Sequence, residues 1–208
     1  MPGVRCSTCS ERDNMVEEEI AEFLRQSVKP IKDGLYGTYY RASATLKDGT
    51  YLPCVMFGHP QKLVDLAVKR FAETVKDERS YKEVVTSFVA RKAGVPIWDV
   101  AKVELSPYAW PLEVLSQIHG ETVMSWTAFT AKMRDGKVFG FGTSFRFEFF
   151  DLPAGYTYDD IAEIHSGMVV DEKGVEKEFT LETFSAKVYR EKPFFYCYTE
   201  HLPAEANT

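Results

Sequence analysis

Along the chain the spacing of the apolar positions changes several times, and each change marks an element. In DNMVEEEIAEFLRQSVKP, which starts at Asp13, the residues Val16, Ile20, Phe23, Leu24 and Val28 recur at helical spacing. Glu17, Glu18 and Glu19 fall in its first turns, where negative charge complements the helix dipole, and Pro30 closes it. The segment predicts a helix with one buried face. The next stretch, GLYGTYYRASATLKDGTYLPCVMFG, has two β-rich runs joined by Asp48-Gly49. An Asp-Gly pair favours a two-residue turn with positive φ at both centres, which sets Lys47 opposite Thr50. Tyr40, Ala42, Ala44 and Leu46 then share a face with Tyr51, Val55 and Phe57. Pro53 cannot donate to a ladder, so the second strand must lie at an edge or bulge there.

Helical spacing returns at HPQKLVDLAVKRFAETVKD, with Leu63, Leu66, Ala67, Phe71 and Val75 on one stripe and Pro60 in the first turn. A further helix is predicted from Ser80, stopped by Arg91, Lys92, Gly94 and Pro96. A short strand near 102–105 and a short helix near 111–118 follow. Beyond a short helix near 157–162, strands are predicted near 164–170, 175–181, 184–190 and 193–199.

Between these lies RDGKVFGFGTSFRFEFF, whose two glycines suggest at first a phosphate-cradling loop. A dinucleotide fingerprint requires a third glycine where Phe145 stands and a helix after it, and a P-loop requires Gly-Lys-Ser/Thr. Instead, Phe139, Phe141, Thr143, Phe145, Phe147 and Phe149 alternate with a period of two. The stretch therefore predicts a strand. A two-residue turn at Asp135-Gly136 places Trp126 opposite Phe145, Phe129 opposite Gly142 and Ala131 opposite Gly140. The glycines on the second face either receive an aromatic ring or let a backbone or ligand approach closely.

The order of elements predicts an α+β fold: one curved antiparallel sheet of about six to seven strands with three main helices packed on one face, cone-like in outline. Residues 1–12 are expected to be a flexible leader and 13–208 a single domain. The chain has 208 residues, 45% hydrophobic, enough to bury a core. A net charge of −6 without a concentrated basic stretch argues against nucleic acid as a partner. No run approaches the roughly 20 apolar residues that span a bilayer, and no signal-peptide core opens the chain, so a cytoplasmic, reducing setting is expected.

Candidate chemistry is sparse. On the second face of the aromatic strand, Arg146 and Glu148 lie two apart, with Ser125 expected opposite Arg146. They form either a solvated ion pair or a pocket in which Arg146 holds an anion and Glu148 acts as a base. EIH at 163–165 sets Glu163 and His165 on one face if extended, and His165 could join that pocket. The candidate ligand pocket is thus Arg146, Glu148, His165, Ser125, Gly140 and Gly142. Cys6 and Cys9 form C-x2-C, and Cys197 with His201 forms C-x3-H, together the ligand types of a Cys3His zinc site. The pairs lie at opposite ends of the sequence, and a strand would hold Cys197 and His201 about 13 Å apart at ~3.3 Å per residue, so neither metal nor other cofactor is expected.

No motif completes a catalytic constellation. The sequence reads first as a binding or interaction protein that holds a protein or small-molecule partner on a sheet face. Its alternative is a small cofactor-independent hydrolase, lyase or isomerase using a His/Glu/Arg pocket. A third reading places Tyr108 and Trp110 in a homo-oligomer contact.

Overall fold

The computed structural model describes residues 14–33, 37–73, 78–85, 94–144, 149–183 and 188–204; the leader expected over 1–12 and the pair Arg146 and Glu148 lie outside them. The chain divides into two compact units, Met1–Ser106 with Phe194–Thr208, and Pro107–Pro193.

The first unit starts with α1 (Glu17–Ser27), entered through a hydrogen bond from Val16 N to Glu19 Oε2 (2.9 Å). Arg25 in its last turn donates to the carbonyl of His201 (2.7 Å). Strands β1 (Ile31–Asp33), β2 (Gly37–Leu46), β3 (Tyr51–Gly58), β4 (Val100–Leu105) and β11 (Phe195–Tyr198) form one sheet. In it β2 pairs with β1, β3 and β4, and β11 runs parallel to β3. Ile20, Ala21 and Leu24 of α1 pack on Tyr40, Ala42 and Ala44 of β2 and Val55 and Phe57 of β3. Each of the larger apolar side chains, Ile20, Leu24, Val55 and Phe57, contributes about 1.5–3 kcal/mol by leaving water. The expected irregularity at Pro53 is present: the β2–β3 register shifts between Ala42 and Ala44, which puts Leu52 in the core and leaves Tyr51 exposed on the other face. The helices α2 (Gln61–Glu73) and α3 (Glu78–Val85) follow β3.

In the second unit the four-residue helix α4 (Leu112–Leu115) precedes β5 (Thr127–Met133), β6 (Val138–Thr143) and β7 (Ile161–Ser166). With β10 (Tyr189–Arg190) these strands make a sheet in the order β10-β6-β5-β7, and β8 (Met168–Val170) pairs with β9 (Glu176–Glu178) as a separate ribbon. One face of the larger sheet carries an aromatic core. Phe129 and Phe141 stack 5.3 Å apart, and the fully buried Trp110 meets Phe141 edge-on at 5.0 Å. Trp110 thus occupies the centre of this core and offers no surface for an oligomer.

A single curved antiparallel sheet with three helices is therefore not what forms. Two separate sheets and a ribbon carry both parallel and antiparallel pairs, alongside four α-helices among the described residues. The parallel pairs, β11 on β3 and β10 on β6, join segments far apart in sequence, and such partnerships leave no local pattern.

The hairpin register is also corrected. Gly136 N donates to Met133 O (2.9 Å), Met133 N donates to Lys137 O (2.8 Å), and Gly136 has φ 87°. The only non-glycine with positive φ among the described residues is Ser125, so Asp135 does not adopt the conformation a two-residue turn needs. The loop is the three-residue kind, a tight turn closed by a left-handed glycine. The Asp135 carboxylate accepts from Lys137 N (3.0 Å) and from the Tyr156 hydroxyl (2.6 Å). The same hydrogen-bond pattern recurs at Gly49 (φ 89°) and Gly174 (φ 79°). The extra loop residue moves the pairing by one, so Phe129 faces Phe141, Ala128 faces Gly142 and Thr130 faces Gly140.

Both glycine positions are filled from above. A Cβ on Gly142 would lie 2.7 Å from Cη2 and 2.9 Å from Cε2 of Trp126, and nearer still to Cζ2. A Cβ on Gly140 would meet Val170 N of β8 at 3.4 Å. Replacing Gly142 by Ala should therefore expel the indole and cost about 1–3 kcal/mol, while Gly140→Ala should cost less than about 1 kcal/mol. Urea unfolding of the two variants checks this, and equal losses would contradict the placement of Trp126.

Candidate functional site

The face of β5, β6 and β7 opposite the aromatic core is where ionisable side chains converge. Strand alternation sends Ala128, Thr130 and Lys132 of β5 to this face, together with Gly140 and Gly142 of β6. Register with β7 sets His165 beside Thr130 and Glu163 beside Lys132. The ribbon β8–β9 reaches the same face, with Val169 only 1% exposed and Glu176 reaching Thr130 and His165.

The centre of the cluster is Glu176. Its Oε1 accepts the hydroxyl proton of Thr130 and lies 2.9 Å from His165 Nδ1. The other ring nitrogen, Nε2, is 3.3 Å from Glu163 Oε2, and Lys132 Nζ is 3.3 Å from that same oxygen. Thr130 is fully buried, the Glu176 side chain is 23% exposed and that of His165 38%. The cluster thus grades from interior to solvent across three side chains.

The hydrogen bond to Glu176 is the main reason the imidazole holds its proton above the ordinary histidine range, with Glu163 adding to it. Burial pushes the Glu176 carboxyl up, but the hydrogen bonds from Thr130 and His165 outweigh that and leave it below its usual value. Both shifts favour the imidazolium–carboxylate form of the pair.

Of the pocket residues expected from sequence, His165 and Gly140 share this face, and Gly142 lies further along it under Trp126. Ser125 does not sit on a strand face. It occupies a two-residue turn between Val123 and Trp126, with φ 65°, and its amide donates to the Glu121 carboxylate. Glu163 and His165 do lie on one face, as their spacing in EIH indicates. Thr130, Lys132 and Glu176 were not legible as site residues. Glu176 follows the turn DEKG and reads as an ordinary hairpin charge, and only the fold brings it to His165.

The cysteine and histidine of the C-x3-H pair have separate surroundings. Cys197 is fully buried in the core under α1, and burial pushes its thiol up to about 12. His201 is part-exposed, with Nε2 3.6 Å from Glu18. Cys6 and Cys9 lie outside the described residues, and no group of three His, Cys, Asp or Glu among the described residues is arranged to hold a metal. No described helix is long and apolar enough to cross a membrane.

No protein-family model matches the chain, and neither a curated protein nor a solved structure is significantly similar to it. Function must accordingly be argued from the site alone.

His165 should titrate above the ordinary 6.5 of a histidine, and Glu176→Gln should move it back towards that value. Ring-carbon chemical shifts followed by NMR across pH measure both, and an unshifted His165 in the wild type would contradict the cluster.

Proposed function

We propose that the protein is a non-catalytic binding protein and that Lys132, Glu163 and His165 form the patch on which its partner is held. The observation that carries this reading is the placement of the imidazole between two carboxylates. Both ring nitrogens face carboxylates, Nδ1 at 2.9 Å and Nε2 at 3.3 Å. A general base must present a lone pair to its substrate, and here each ring nitrogen is turned towards a carboxylate of the protein itself. What it supplies when protonated is a positive charge between two negative ones, with the Lys132 ammonium at the rim. Such an alternation selects a partner by complementary charge and register, and rim charges of this kind govern specificity and encounter rate.

Two further features support binding over catalysis. The small-residue floor at Gly140 and Gly142, which a buried substrate would need, is occupied by β8 and by the Trp126 ring. Glu163 and His165 stand on β7, at the margin of its sheet, where a partner can reach them, with Lys132 beside them on β5. A protein segment carrying both signs of charge suits this surface best.

A photo-crosslinking residue in place of Glu163 is expected to capture one discrete partner in cells, and the same residue in place of the exposed Val68 is not. The double swap Lys132→Glu with Glu163→Lys keeps an ion pair but reverses its direction. It should abolish binding to that partner while changing unfolding by less than about 1 kcal/mol. Undiminished binding by the swapped protein would overturn the assignment of this patch.

A further inference from the structure

We propose that the β8–β9 ribbon is a strap across the small-residue face of the second unit's sheet, that Glu176 is its latch, and that the latch loosens when His165 becomes neutral. The proposal stands whether or not the patch beside it binds a partner.

The ribbon is a separate two-stranded element attached to β7 through Gly167, whose φ of 72° permits the sharp reversal from β7 into β8. An isolated two-stranded hairpin is marginally stable in water, so its closed position depends on what it meets. Beneath it the sheet offers Ala128, Thr130 and Gly140, which leave room for close approach but little apolar surface. Val169 is buried, the Val170 backbone occupies the space above Gly140, and Phe179 N donates to Gly167 O (2.8 Å) at the ribbon's base. Within the ribbon, Lys177 pairs with Asp171 at 2.6 Å, which stiffens the strap without tying it down.

Glu176 is the polar side chain of the ribbon that reaches both β5 and β7, through Thr130 and His165. If the strap lifts, Thr130 and the imidazolium lose their shared acceptor together. The described charged groups around His165 are Glu163 on its own strand, Lys132 on β5 through Glu163, and Glu176 on β9; β6 contributes only Gly140 at this level. Lys132 is tied to Glu163 and acts on Glu176 only at longer range, so the charge in hydrogen-bond contact with Glu176 is that of His165.

The direction follows from linkage. His165 binds its proton more tightly in the closed strap than at its ordinary 6.5. Its contribution is complete below that value and is lost as pH rises through the raised one. Glu176 lies below its ordinary 4.5, so its contribution is present above that value and is lost as pH falls through the lowered one. Between these limits the latch is an ion pair, and on the alkaline side it becomes a weaker bond between a neutral ring and a carboxylate.

The test uses the full chain with Cys6→Ser and Cys9→Ser and the substitution V169C, which places a thiol on the strap's buried side. Thiol labelling is normalised to the unfolded chain at each pH to remove reagent chemistry. Protection of the introduced thiol should fall about tenfold between pH 6 and pH 9, and about tenfold at pH 6 on adding E176Q, while Cys197 stays protected. With H165Q the dependence on pH should vanish. Because V169C could itself loosen the ribbon, amide exchange at Gly167 and Phe179 is measured in the wild-type chain and in E176Q alone, where exchange should quicken by a similar factor. Protection unchanged by E176Q, a pH dependence that survives H165Q, or exposure of Cys197 in step with the introduced thiol would each overturn the proposal.

Discussion

A single backbone constraint governs the second unit: Gly136 sits at φ 87°, where only a residue without Cβ is unstrained. That geometry makes the loop three residues long, and loop length fixes the register of the two strands it joins. Side chains alternate along a strand, so a shift of one residue decides what faces what. With the register as it stands, Phe129 stacks on Phe141 and the aromatic core can close around Trp110. A one-residue slip would set Phe129 against Gly142 and break that stack. The polar face depends on the same choice, because it brings Thr130 level with Gly140 on one side and His165 on the other.

The two glycines matter for what they admit. Gly142 receives the indole of Trp126, and the Arg190 guanidinium stacks over that ring 4.3 Å from its centroid. A cation over an indole is worth roughly 0.5–1 kcal/mol where partly exposed, so the ring is held from both sides. Gly140 receives the backbone of β8, which draws the ribbon close enough for Glu176 to reach across to Thr130 and His165. Gly140 thus bears on the ionisable cluster, whereas Gly142 serves the indole. Beside the C-x3-H pair of the first unit, His201 meets Glu18 and Thr199 donates to Glu17. Cys197 is held as a neutral thiol in the core, where it packs and does not react.

Local periodicity carried a good part of this fold and failed at identifiable places. The helix at 17–27 and the β-rich runs around both Asp-Gly turns were legible, because each repeats apolar residues at its own period. Pro53 marked a real bulge for the reason its missing donor implies. The turn length was not legible, since Asp-Gly suits both a two-residue loop and the three-residue one found. The partition into two sheets was hidden as well. β11 pairs in parallel with β3 from the far end of the chain, and Tyr189 and Arg190 pair with Phe141 and Gly142 across a shorter but still long gap in sequence. At the site, His165 and Glu163 could be read together because they are neighbours on one strand. Glu176 and Thr130 could not, because nothing local links a hairpin glutamate to a threonine 46 positions away.

The register of β5 against β6 underlies both the aromatic core and the charged face, and cross-strand NOEs measured on the labelled protein test it most directly. The structure predicts contacts that link Ala128 with Gly142 and Thr130 with Gly140. Contacts linking Phe129 with Gly142 and Ala131 with Gly140 would show the two-residue turn instead, and with it the cluster around Glu176 would lose its basis.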